Sequence, residues 1–269
     1  MGRRMKKILS IAGSDCSGGA GIQADLKTIE AFGMFGMSVI TALVAENTYE
    51  VKDILQTSID NLSAQCDCVF RDIFPDAVKI GMTGSESVIN LIADKLAFYK
   101  PKNIVFDPVM VATSGKKLFE FAAVDILKEK LLPYVDILTP NLKEAEVLAN
   151  CKISGQSSMI YAAERISSFY DGVILIKGGH LNELGNDEKC SDLIYCNGKI
   201  EWLECQRINN PNTHGTGCTL SAAITCGLAA GLNYFDAIKQ AKNYLCNALL
   251  FGLDLGHGSG PLYHKVSLN

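Results

Sequence analysis

Short apolar runs alternate along this chain with longer stretches of helical spacing, and that rhythm excludes most folds open to it. Ile8 to Ala12, Ser38 to Val44, Ala77 to Ile80, Ile104 to Phe106, Ile137 to Thr139 and Val173 to Ile176 are brief apolar segments ending in Gly, Pro or a polar cluster. Strands buried on both faces of a parallel sheet need such uninterrupted runs. Helical spacing follows from Ile22 to Gly33, Ile59 to Phe70, Val88 to Phe98, Val124 to Leu131, Leu142 to Ala149, Ala162 to Phe169 and Leu220 to Gly231. Strand then helix, repeated, predicts a doubly wound α/β fold. Asp192 to Cys196 and Ile200 to Cys205, joined through Asn197-Gly198, predict a hairpin, read as scaffold. No linker rich in Pro, Ser and charge interrupts the 269 residues, 48% of them hydrophobic, so residues 1–269 read as one domain.

Charge and thiols narrow the function. With 25 basic and 29 acidic residues the formal net charge is −4, so the surface offers nucleic acid or anionic lipid no general attraction. Arg3, Arg4, Lys6 and Lys7 precede Ser10, Gly13, Ser14 and Asp15 instead of a signal-peptide apolar core, which predicts a cytoplasmic chain. The longest apolar candidate, Leu220 to Leu232, holds Ser221, Thr225 and Gly227 and falls short of the roughly 20 residues of a membrane span. A soluble protein is expected. Ten cysteines without a Cys-x-x-Cys pair read as reduced thiols, most of them small buried apolar groups.

In doubly wound folds ligands bind beyond the carboxyl ends of the strands. Here those positions are Gly13-Ser14-Asp15, Glu46-Asn47-Thr48, Gly81-Met82, Asp107-Pro108-Val109-Met110, Pro140-Asn141-Leu142-Lys143-Glu144 and Lys177-Gly178-Gly179-His180. Asn212 to Thr219, Asn-Thr-His-Gly-Thr-Gly-Cys-Thr, precedes an uncharged helix. Gly215 and Gly217 would let the backbone turn tightly and aim N–H groups at one point, with the helix dipole adding to the field. A glycine-containing cap on a buried helix is the plain alternative.

Thr213 to Thr219 resembles the anion-hole motif of hydroxymethylpyrimidine kinases of the ribokinase superfamily. Ile11 to Asp15 with Ser17 to Thr28 is similar to that family's opening strand and loop. Val39 to Ala45 with Asn47-Thr48, Lys79 to Met82, Asp107 to Val111 and Thr139 to Ala145 extend the resemblance from about Lys7 to about Pro261. It implies a ribokinase-like three-layer α/β/α sandwich with a central, mostly parallel sheet and no separate lid domain. It further implies ATP and Mg²⁺ as cofactors, a small-molecule substrate phosphorylated twice, and a homodimer.

The resemblance also assigns roles. Thr213, Gly215, Thr216 and Gly217 would hold phosphates, with Asn141. Asp107 and Glu144 would lie at the metal, although Glu144 alone reads as a first-turn acid and Asp107 as a turn former. Lys177, at a strand end, would reach the transferring phosphate. Cys218 stands where many relatives in the superfamily carry an aspartate base; at a helix N-terminus its thiol is expected to have a lowered pKa and to accept the substrate's hydroxyl proton in the first phosphorylation. His214 reads as a hydrogen-bonded loop histidine. Gly13, Ala20, Val44, Met82 and Val109 would line a flat ring pocket. Glu46 departs from the family's glutamine, and a carboxylate only accepts unless protonated. Three alternatives stay open: a pyridoxine or pyridoxal kinase, a non-catalytic ring-binding protein, and a cysteine hydrolase.

Overall fold

The structure is a computed structural model and describes residues 5–111, 118–179 and 189–266. The predicted apolar runs are strands of one nine-stranded sheet. In chain order these are β1 (Lys7–Asp15), β2 (Phe35–Glu46), β3 (Val51–Gln56), β4 (Ala77–Ile80), β5 (Ile104–Phe106), β6 (Ile137–Leu138), β7 (Val173–Ile176), β8 (Lys189–Cys196) and β9 (Lys199–Gln206). Across the sheet the order is β3-β2-β1-β4-β5-β6-β7-β8-β9. The central pairs from β2 to β7 are parallel, and the pairs β2 with β3, β7 with β8 and β8 with β9 are antiparallel.

Two-residue periodicity sorts the central strands between two cores. Ile104, Phe106, Leu138, Ile174 and Ile176 face a layer containing α2 (Ile59–Asp72), α3 (Glu86–Tyr99), α5 (Leu142–Ala149) and α6 (Gln156–Ser167). Val105, Ile137, Val173 and Leu175 face α7 (Thr216–Ala229) and α8 (Tyr234–Leu250). On that second face α1 (Gly21–Ala31) joins α7 through Ile29 and Cys226. Strands clad on both sides explain why the runs carry no polar alternation. Helix α7 is buried on nearly all sides, which its lack of charge permits. A methyl group at Gly227 would lie 3.0 Å from Ala237 Cα, so a glycine there lets α8 lie close against α7.

Local chemistry accounts for several ends. In the β8–β9 turn Asn197 (φ 49°) and Gly198 (φ 77°) are both left-handed, as a two-residue type I′ hairpin demands. Ser58 caps α2 and Asn233 caps α8, each accepting a first-turn backbone N–H.

The structure also departs from the expected elements. β1 continues through Gly13-Ser14-Asp15, with a register shift between Ala12 and Ser14, so the residues expected in a loop end the strand instead. The helix expected from Val124 to Leu131 is composite, a single α turn (α4, Val124–Ile126) followed by a π turn over Leu127–Leu131. Helix α6 starts at Gln156, ahead of the expected Ala162. The segment 181–190, whose order the sequence leaves open, lies outside the described residues up to 188.

β1 has β2 on one side and β4 on the other, so the chain reverses direction across the sheet there. A crevice opens over the carboxyl ends at such a switch point.

Candidate active site

Helix α7 begins on a loop that only glycine can complete. Gly215 is its N-cap with φ 82°, and a methyl group there would lie 1.9 Å from Gly19 O. The first turn of a helix leaves backbone N–H groups without intrahelical partners; Thr216 N donates to Thr213 O at 3.3 Å, and Gly217 and Cys218 present their amides at the positive end of the dipole. Gly217 lies over a buried ion pair: a methyl group there would sit 3.1 Å from Asp107 Oδ2 and 3.4 Å from Lys177 Nζ. Thr213, at the loop entrance, is exposed and its hydroxyl is 2.9 Å from Ser259 Oγ.

Strand ends bring the charged groups beneath this loop. Asp107 follows β5 and Lys177 follows β7, and Lys177 Nζ donates to Asp107 Oδ1 at 2.6 Å. Thr139 Oγ1 donates to the same oxygen at 3.3 Å. Burial alone would lower the Lys177 pKa, but the charges of Asp107 and Glu144 raise it, so the ammonium stays charged. Asn141 and Glu144 form a capping box on α5: Glu144 N donates to Asn141 Oδ1 and Asn141 N to Glu144 Oε2. Glu144 is therefore the first-turn acid of its plain reading, yet it is also 4% exposed, and burial with the nearby Asp107 charge pushes its pKa up to about 7. Asp107 at a strand end and Glu144 in the first turn of α5 are carboxylate oxygen donors of the kind a hard divalent cation takes. Asn141 pairs with Lys177 in an isolated parallel bridge, which ties both sites together.

A second buried pair lies under the sulfur. Lys79, on β4, is fully buried and donates to Asp25 Oδ2 at 2.8 Å, where Ser10 Oγ also donates. Burial alone would lower Lys79, and the Asp25 carboxylate outweighs it, holding the ammonium charged. A methyl group at Gly81 would lie 2.7 Å from Lys79 Nζ. Cys218 is partly exposed, and its pKa corrects the sequence reading: burial pushes the thiol up to about 11, against the charge of Lys79, and Asp25 and Asp107 add to the rise. The helix-terminus argument for a lowered pKa counted only the dipole. At neutral pH Cys218 is a thiol.

At the end of β1, Asp15 accepts from Ser17 N, Gly19 N, Ala20 N and His214 Nε2, the last at 2.9 Å. Burial would raise its pKa, but the hydrogen bonds from His214, Ser17 and the Ala20 amide bring it to about 2. His214 is thus the hydrogen-bonded loop histidine expected. Its side-chain nitrogen, one Asp15 oxygen and one Glu46 oxygen lie within 4.8 Å of one another. Burial and the Asp15 charge raise Glu46 to about 7. The five donors on Asp15, the Ser17 hydroxyl included, make this a hydrogen-bonded clamp better than a metal centre.

Val44 and Met82 are buried in one cluster against which Val109 packs, and a methyl group at Gly13 would lie 2.9 Å from Met82 Cε. Four of the predicted ring-pocket residues therefore meet. Ala20 and Glu46 lie with Asp15 and His214 instead. Asp15, Asp25 and Lys79 fall inside the motifs quoted above but carry no assigned role there; only Lys79 carries a sequence signal, a lysine inside an apolar run. Beyond the anion loop, a cleft of about 970 Å³ opens between β9 and α8, lined among others by Arg207, Asn210, Asn212 and Asn243.

Comparison with known proteins shows the family. A family profile described as phosphomethylpyrimidine kinase matches residues 15–263. The chain belongs to this family. It is 42% identical over 265 residues to the hydroxymethylpyrimidine/phosphomethylpyrimidine kinase of Escherichia coli K12, covering 97% of this chain and 98% of the relative. With the enzyme of the same name from Rhizobium meliloti the identity is 46%, covering 95% and 96%. Among solved structures, a pyridoxal kinase from Bacillus subtilis in complex with ADP superposes with a TM-score of 0.89 at 36% identity, covering 97% of this chain and 98% of that one. A phosphomethylpyrimidine kinase from Clostridium difficile 630 gives 0.79 at 40% identity, covering 90% and 99%. The ribokinase-like fold expected from the motifs is thereby shared with members of this phosphomethylpyrimidine kinase family. Among the described residues no helix is long and apolar enough to cross a membrane.

Proposed function

We propose that this chain uses ATP and Mg²⁺ to phosphorylate 4-amino-5-hydroxymethyl-2-methylpyrimidine, and then the resulting monophosphate, giving the diphosphate used in thiamine biosynthesis. The observation that carries this is the stacking of Gly217 on the Asp107–Lys177 pair, because it aligns helix-terminal amides, an ammonium and a metal-type carboxylate on one point. Phosphoryl transfer asks for that combination of positioning and charge more than for covalent chemistry. The cleft between β9 and α8 would take the nucleoside, with the phosphates on Gly215 to Cys218. Asp107 and Glu144 would hold Mg²⁺ through water and phosphate oxygens; the ion supplies charge neutralisation on the phosphates. Lys177 would steady the transferring group. The test is the mass of products after incubation with ATP, Mg²⁺ and an equimolar mixture of hydroxymethylpyrimidine and pyridoxine. Two phosphates on the pyrimidine are expected; preferential phosphorylation of pyridoxine would replace this reading with the vitamin B6 one, which the pyridoxal kinase superpositions keep in view.

Cys218 would act as base only through its scarce thiolate. With the thiol near 11, the thiolate fraction grows about tenfold per pH unit below that value. At saturating pyrimidine, kcat of the first phosphorylation is therefore expected to rise from pH 7 to 9, while kcat of the second, whose phosphate nucleophile is already ionised, stays level. A flat profile for both, measured in wild type and Cys218→Ala, removes the base role.

Glu46 would bind the ring as a carboxylic acid, which donates and accepts much as the family's glutamine amide does. The raised value near 7 means the acid form dominates below that pH and is lost above it. Accordingly kcat/KM for the pyrimidine should fall as pH rises through about 7, and Glu46→Gln should flatten that limb. A rise instead would mean that the carboxylate is the binding form.

The homodimer and cytoplasmic location remain part of this reading. Leu43 and Leu55 are cross-strand partners on β2 and β3, 51% and 64% exposed, and a second copy would cover them. Sedimentation should give a dimer that Leu55→Glu splits; a wild-type monomer sinks it. Ten free cysteines suit a reducing compartment.

A further inference from the structure

The cleft between β9 and α8 holds two thiols that the phosphoryl-transfer reading does not use. Cys205, at the end of β9, and Cys246, on α8, both line it and both are partly exposed. The two thiols lie close enough to shift each other's ionisation, and Lys242, one helical turn before Cys246 and paired with Asp192, lies beside Cys205. The two residues sit on different elements of the fold, so a bond between them would tie the sheet edge to the last helix. The third nearby thiol is engaged elsewhere. Cys190 is the register partner of Cys205 on β8, but its thiol points at Gly179 O, 3.8 Å away, and burial pushes its pKa up.

Electrostatics make the pair unequal. The neighbouring Cys246 thiol, then the Lys242 charge, bring the Cys205 thiol down to about 6 in spite of burial, while the same proximity pushes Cys246 up. An attacking thiolate with a thiol already beside it is the arrangement that redox-responsive cysteines share.

We propose that Cys205 and Cys246 are a peroxide-reactive pair that closes to an intramolecular disulfide across this cleft. In the first step Cys205 sulfur attacks a hydroperoxide oxygen; the S–O bond forms, the O–O bond breaks, and water leaves when the peroxide is hydrogen peroxide. In the second, Cys246 sulfur attacks the sulfenic sulfur of Cys205; the S–S bond forms, the S–O bond breaks, and the departing hydroxide takes the Cys246 proton as a second water. Two thiols lose two electrons and one hydrogen peroxide gains them. The disulfide fixes β9 against α8 and narrows the space between them. Its effect on turnover rests on the reading of this cleft as the nucleoside site.

The experiment treats the reduced full-length protein with hydrogen peroxide, blocks remaining thiols by alkylation and maps the peptides by mass spectrometry. The expected product joins the Cys205 peptide to the Cys246 peptide with loss of two hydrogens, and is absent from Cys205→Ser and from Cys246→Ser. Turnover at sub-saturating ATP should drop several-fold with the cross-link and return with dithiothreitol. A Cys205–Cys190 bond, or Cys205 over-oxidised beside an alkylated Cys246, overturns the pairing. A cross-link that leaves ATP dependence untouched overturns the effect on the cleft. ATP binding by the reduced protein, measured on the same sample, separates the two readings, because its absence removes the nucleoside site while the peptide map still decides the thiol pair.

Discussion

Lys177→Met is expected to lower kcat of both phosphorylations by roughly 10²–10³-fold, the loss typical when one donor to developing charge is removed. Lys177 is the cation that Asp107 holds at 2.6 Å directly beneath Gly217, whereas the other buried ammonium of the site, Lys79, is tied to Asp25. Nucleotide affinity should change far less, since the amides of the anion loop remain. Stability will also drop. Asp107, with a side chain 2% exposed, loses its partner, and breaking such a buried pair costs about 3–5 kcal/mol. Replacing both partners separates the two effects. Lys177→Met combined with Asp107→Asn should recover much of the stability in urea unfolding, and none of the turnover. A single variant with wild-type kcat would refute the assignment of Lys177.

Gly215→Ala should damage both the fold and nucleotide binding. An L-residue at φ 82° costs about 1–2 kcal/mol. The added methyl, 1.9 Å from Gly19 O, forces one of the two backbones to move at a further cost of about 1–3 kcal/mol. Because the other backbone is that of the Gly19-Ala20 loop, whose amides hold Asp15, the movement reaches the ring side as well as the phosphate side. The checks are thermal unfolding and calorimetric titration with ATP. Gly179→Ala is the control: it has no positive φ and its methyl meets nothing within 4 Å among the described residues, so its stability should stay near wild type. If Gly215→Ala matched that control in both measurements, the loop would not be the phosphate cradle.

Much of the site could be read along the chain because its parts obey local rules. A strand clad on both faces must be continuously apolar, which exposed β4, β5, β6 and β7 in the sequence. A left-handed helix cap demands glycine, which marked Gly215. Strand ends of a parallel sheet all open on one side, so Asp107, Asn141 and Lys177 could be gathered without coordinates. β3 escaped because it is an edge strand with mostly exposed residues, Lys52 and Asp53 among them, and an edge needs no apolar run.

What sequence by itself determined was the fold, the glycine-capped loop ahead of α7 and the identity of the groups around it, since each follows from the residue and its immediate neighbours. Tertiary structure alone decided their ionisation. Asp15 meets His214 across 199 residues, Lys79 meets Asp25 across 54, and Lys177 meets Asp107 across 70. Whether a buried carboxyl or thiol holds its proton depends on burial and on charges that only folding brings near. Local rules for a helix terminus therefore gave the wrong direction for Cys218, and no local rule could have raised Glu46.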